Sequence, residues 1–120
     1  MTELQMGPIE SRFADIIWTN EPISSSELAK KSEVELTWKK TTSYTVLKRL
    51  CGKGIFVNNR GTVTSLISRE QFYSMQSAQY VEETFDGSLP AFIAAFTKQK
   101  KLSSKEIAEI QKMIEEAEEK

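Results

Sequence analysis

Histidine is absent from this chain of 120 residues. Its absence removes the side chain that most readily exchanges a proton near neutral pH, and with it Ser-His-Asp catalysis and every histidine-ligated metal centre. A single cysteine, Cys51, excludes an internal disulfide, a C-x-x-C redox pair and a thiolate zinc site within one chain. It reads as a small buried residue on a helix. The five glycines stand isolated, so neither a phosphate-binding loop nor a dinucleotide fingerprint can be written. No apolar run is long enough to cross a bilayer. The opening MTELQMGPIE has neither the basic segment nor the apolar core of a secretory signal. A cytoplasmic location with no membrane partner is therefore expected. Carboxylates fall mainly on exposed faces without an opposed pair. No enzyme, no cofactor and no metal site is expected.

The most local absence is of negative charge. From Leu36 through Arg69 there is no aspartate or glutamate, while seven lysines and arginines lie in that stretch. The whole chain has a formal net charge of -1, so the cationic segment is a feature of distribution. Such a patch attracts phosphate while the rest of the molecule stays nearly neutral.

What is present is an ordinary globular composition, 39% apolar and 28% charged, which predicts one domain or a small domain with an appendage. PIESRFADIIW carries Ile9, Phe13, Ile16 and Ile17 at helical spacing, with Gly7 as cap and Pro8 in the first turn. Trp18 is expected in the core. SSSELAKK reads as a short helix opened by a capping box of Ser24 and Glu27 and anchored by Leu28. Residues 32 to 37 are expected to connect it to a third helix beginning at Thr37 or Trp38. In that helix Val46, Leu47 and Leu50 face inward, while Lys40, Thr41, Tyr44, Thr45 and Lys48 face out. Gly54 is its expected left-handed stop. IFVNNRGTVTSLI then changes period and reads as two strands around Asn58-Asn59-Arg60-Gly61.

Three helices followed by a ribbon is the order of a winged helix-turn-helix, so the expected fold is mainly α with a small β-hairpin. Residues 1-67 would form a DNA-binding domain and residues 68-120 a helical tail. In the tail, Ser68 with Gln71 caps one helix, Gly87 and Pro90 punctuate, and a box of Ser103 and Glu106 opens the last. The EEAEEK end is expected to fray. The large apolar residues of this tail need a partner surface, either residues 1 to 67 or a second copy of the chain, and pairing is favoured.

A helix that reads the major groove needs small hydrogen-bonding groups facing out, with cations nearby. Thr41, Thr42 and Thr45 offer hydroxyls and methyls; Lys39, Lys40, Lys48 and Arg49 neutralise backbone charge. Tyr44 adds a hydroxyl and a ring, and Arg60 at the ribbon turn is placed to reach an adjacent backbone or minor groove. Double-stranded DNA is thus the expected partner. The rival reading is a winged helix whose basic face covers an acidic protein.

The sequence also resembles the penicillinase-repressor family of bacterial transcriptional repressors (BlaI, MecI and CopY). GPIESRFADIIW, ISSSELAKK and WKKTTSYTVLKRLCGKGIF are similar to its three helices, and FDGSLPAFIAAF and LSSKEIAEIQKMI to its dimerising tail. The resemblance implies a homodimeric repressor on an inverted-repeat operator, with Thr42 and Thr45 facing DNA and Arg60 in the wing. It implies a dimer unit built on Phe92, Ile93, Phe96, Ile107, Ile110 and Ile114, to which the apolar stripe adds Phe72, Phe85 and Leu89. The chain departs from the family at Tyr44, where lysine or arginine is common, and at Ser43, where an aliphatic residue is common. Ala95-Phe96 stands where some members carry a cleavable Asn-Phe bond, and the cysteine-rich tail of the copper-responsive members is lacking.

Overall fold

The computed structural model describes residues 6-118. Three helices come first: α1 (Pro8–Asn20), α2 (Ser25–Leu36) and α3 (Lys40–Gly52). A two-residue strand β1 (Ile23–Ser24) precedes α2, and β2 (Phe56–Asn59) and β3 (Thr62–Ser65) follow α3. Helices α4 (Arg69–Thr84), α5 (Leu89–Gln99) and α6 (Ser104–Glu116) complete the chain. The order and the mainly helical content with a small antiparallel sheet are those of a winged helix followed by a helical tail. No helix among the described residues is long and apolar enough to cross a membrane.

The expected caps form. The Gly7 N–H donates to Glu10 Oε1 at 3.3 Å, and Pro8 occupies the first turn of α1. Ser24 Oγ accepts from the Glu27 N–H at 3.0 Å, one half of the expected box, and Ser68 Oγ from Gln71; Ser88 Oγ, not expected as a cap, accepts from Ala91. At α6 the box is reciprocal: Ser103 Oγ accepts from the Glu106 N–H, and Glu106 Oε1 accepts from the Ser103 N–H. Each bond satisfies a backbone donor that the helix itself leaves open.

Two boundaries differ from expectation. Helix α2 does not stop near Lys31; it runs to Leu36 because Leu28, Ser32 and Leu36, four apart, all face the core. Ser32, expected in a connector, is fully buried. Thr37 then takes a left-handed conformation, φ 56, and ends the helix. Consequently α3 starts at Lys40, with Lys39 as its cap, rather than at Thr37 or Trp38. Trp38 lies in the connection and stacks on Phe13, ring centroids 5.1 Å apart.

The ribbon is part of a three-stranded antiparallel sheet in the order β1-β3-β2, not an isolated pair. Ile23 pairs with Val63 and Ser24 with Thr62 on one side; Phe56 pairs with Ser65 and Asn59 with Thr62 on the other. The two-residue β1 is too short to show alternation, so its pairing was not legible in the sequence. The core gathers around Phe13, Ile17, Leu28, Leu50, Ile55, Phe56 and Val63.

The chain divides into two compact units, Met1–Gln79 and Tyr80–Lys120. The division falls inside α4, later than the expected boundary after residue 67. Phe72, expected among the pairing residues of the tail, is 0% exposed and belongs to the core of the first unit. Its ring lies 5.7 Å from that of Trp18, so it has no surface left to offer a second copy. The second unit carries its own aromatic cluster, with Phe85 and Phe92 centroids 5.6 Å apart and Phe96 beside Phe92 at 6.2 Å. Helices α5 and α6 nevertheless bury no residue completely. α6 stays helical to Glu116, and the final two residues of the acidic end lie outside the described ones.

Candidate nucleic-acid interface

Helix α3 is held by one face and offers the other. Ser43, Val46, Leu47 and Leu50 are buried, while Lys40, Thr41, Thr42, Tyr44, Thr45, Lys48 and Arg49 are exposed. Thr41, Tyr44, Thr45 and Lys48 recur at three- and four-residue intervals, so they share one stripe. Thr41 and Thr45 are short and Lys48 is flexible, Tyr44 adds a rigid ring, and the stripe carries no carboxylate.

The wing is shaped by its turn. Arg60 and Gly61 have φ of 54 and 90, the positive pair of a type I′ two-residue hairpin turn. Gly61 suits this without strain, and its N–H donates to Asn58 Oδ1 at 2.9 Å. The turn proper is therefore Arg60-Gly61, with Asn58 and Asn59 still in β2. Arg60 stands exposed at the tip. The Ser25 N–H donates to the Gly61 carbonyl at 2.8 Å, tying the tip to the start of α2.

Asn58 was not among the candidate residues. It joins Tyr44, Leu47, Lys48 and Cys51 in lining a shallow concavity of about 260 Å3 on the flank of α3. The signal was available in the strand period. Phe56 points into the core, and Asn58, two residues on, shares its face but lies beyond the core. Cys51 is half-buried there; burial pushes its thiol above the ordinary value of 9.0, with a smaller opposing effect from the Asn58 backbone. The sequence suggested a small buried residue; Cys51 is instead partly buried, packed against the edge of the core. A second depression, of about 210 Å3, is lined by Thr41, Thr42, Thr45, Val46 and Arg49.

The cations do not all serve the same surface. Among the seven of the acid-free stretch, Arg49 pairs with Glu10 and Arg69 with Asp15, both carboxylates of α1. Lys39, Lys40, Lys48 and Arg60 are exposed and make no ion pair among the described residues. No group of three His, Cys, Asp or Glu side chains that could hold a metal occurs among the described residues.

A sequence profile of the family described as Penicillinase repressor matches residues 6-116. The chain belongs to that family. The Penicillinase repressor of Bacillus licheniformis is 27% identical to it over 116 residues, which span 93% of this chain and 91% of that protein. Penicillinase repressors are DNA-binding transcriptional regulators and not enzymes. Membership accounts for the winged helix, and it makes the outward stripe of α3 the surface on which to look for nucleic-acid contacts.

Proposed function

We propose that this protein is a homodimeric transcriptional repressor that places α3 in the major groove of each half of an inverted-repeat operator. The observation that carries the reading is the joint exposure of Thr41, Tyr44, Thr45 and Lys48 on a helix whose other face is buried. In this reading Thr41, Thr42, Tyr44 and Thr45 meet base edges. Lys39, Lys40, Lys48 and the wing's Arg60 meet phosphate, with Arg49 a weaker contributor because Glu10 engages it. Phosphate contacts set position and base contacts set sequence preference.

The tail is the dimer unit of this proposal. Phe96 is 43%, Leu89 50%, Ile107 50% and Ile114 59% exposed in one copy, and Phe85, Phe92, Ile93 and Ile110 are partly exposed beside them. A second copy would remove this apolar area from water, each side chain contributing on the order of 1 kcal/mol or more. The dimer would then present two reading helices about one helical turn of duplex apart, roughly 34 Å.

Fluorescence anisotropy against the gene's own upstream region, with a scrambled duplex as control and several salt concentrations, tests the reading. Binding should favour the upstream duplex and weaken steeply with salt. Thr45→Ala should alter sequence preference. Lys48→Ala should weaken both duplexes and reduce the salt slope by about 0.9. Equal affinity for the two duplexes at moderate salt would remove specific repression and leave the protein-interaction reading. A monomer by light scattering at micromolar concentration would remove the dimer.

A further inference from the structure

Arg69 belongs to the acid-free stretch yet takes no part in the outward cationic surface. It is the first residue of α4, where a positive charge opposes the helix dipole. Something else must hold it there, and three groups on α1 do. Its Nε lies 2.9 Å from Asp15 Oδ1, its Nη2 donates to Thr19 Oγ1 at 3.0 Å, and its guanidinium sits 5.9 Å from the centre of the Trp18 ring. Asp15 and Thr19 are one helical turn apart with Trp18 between them, so the planar fork meets a matched strip of α1. Trp18 is fixed in turn: its indole N–H donates to the Ile67 carbonyl at 3.0 Å, and it packs on Phe72. The segment before α4, its first residue and its first turn are thereby all fastened to the same helix.

We propose that Arg69 is a positioning residue for operator recognition, a latch that fixes the direction in which α4 leaves the winged helix. The inference rests on the dimeric repressor reading. In such a dimer each reading helix is joined to the paired tail through α4, so freedom at the start of α4 lowers the effective concentration of the second helix at its half-site. The latch acts without touching DNA, because the groups that hold its guanidinium are those of α1.

Arg69→Met keeps the aliphatic stem and removes the fork, and Asp15→Asn removes the opposing charge. Anisotropy is measured on the full inverted repeat, on repeats with one or a few base pairs inserted at the centre, and on an isolated half-site. Amide hydrogen exchange follows residues 70-75. The expected result for Arg69→Met is a loss of about tenfold on the full repeat, unchanged half-site affinity, and a flatter dependence on spacing. Exchange in the first turn of α4 should be faster, while the protein stays folded and dimeric. Asp15→Asn should give a smaller effect in the same direction. An unchanged spacing profile, or an equal loss on the half-site, would overturn the positioning role, and unchanged exchange would overturn the latch itself. If the wild-type protein shows no operator preference, the repressor reading fails, and the exchange measurement still decides whether Arg69 secures α4.

Discussion

The guanidinium of Arg49, in the last turn of α3, meets the carboxylate of Glu10 in the first turn of α1. Both charges also sit well relative to their own helices, a carboxylate near an N-terminus and a cation near a C-terminus. The pair lies on the surface, so it should contribute at most about 1 kcal/mol. Glu10→Gln should lower the melting temperature slightly and release Arg49. Anisotropy at low salt should then show modestly tighter, less selective DNA binding. Arg49→Ala should reduce affinity by less than Lys48→Ala does; the reverse ranking would show that Arg49 abandons Glu10 for phosphate.

Ser43 is 2% exposed, and its hydroxyl has no hydrogen-bond partner among the described residues. A buried hydroxyl that gives up water without gaining a partner costs about 1 kcal/mol or more. Ser43→Ala removes the oxygen and leaves nearly the same volume. Denaturant titration should show it more stable than wild type by about 1 kcal/mol, with DNA affinity unchanged. A loss of stability would mean that the hydroxyl is satisfied in solution.

Gly61 occupies φ 90 with open space where a Cβ would stand. Any penalty for Gly61→Ala is therefore conformational rather than steric against a neighbour, on the order of 1 kcal/mol. Thermal unfolding should shift down by a few degrees. Because the turn also receives the Ser25 N–H on its carbonyl, exchange at Ser25 should accelerate with it. Gly54→Ala, also at positive φ with open space around it, should cost a similar amount without affecting Ser25.

Burial raises the Cys51 thiol above 9.0, the backbone of Asn58 opposing this less strongly. The folded chain therefore holds this proton more tightly than the unfolded chain. The contribution is fully present below pH 9.0 and is lost as pH rises through the higher folded value. Thiol-reactive probes should label the native protein slowly at neutral pH and faster as pH rises past that range, while the unfolded protein reacts sooner. Equal rates for the two states would show that Cys51 is open to solvent.

Much of the architecture was legible because local chemistry dictates it. Gly7-Pro8, Ser24 with Glu27, Ser68 with Gln71, and Ser103 with Glu106 mark helix starts through bonds spanning three residues. The inward set Val46, Leu47 and Leu50 and the outward threonines of α3 follow from helical period alone. The extension of α2 was not legible, since Ser32 looks polar and only the packing makes it a core residue. Strand β1 was hidden because two residues carry no period. Phe72 continued the apolar stripe of the tail, but which surface it would cover depended on where Trp18 stood.

The order of residues by itself determined that these helices and a hairpin form and that α3 carries a cationic, threonine-bearing face, because caps, periodicity and the conformational freedom of glycine act within a few residues. Only the tertiary structure decided how the cations divide. Arg49 and Arg69 are as basic in sequence as Lys40 and Lys48, yet α1 brings Glu10 and Asp15 to the first pair and no carboxylate to the second. An ion pair depends on separation in space, and residues 39 and 54 positions apart in the chain become neighbours only after the helices pack.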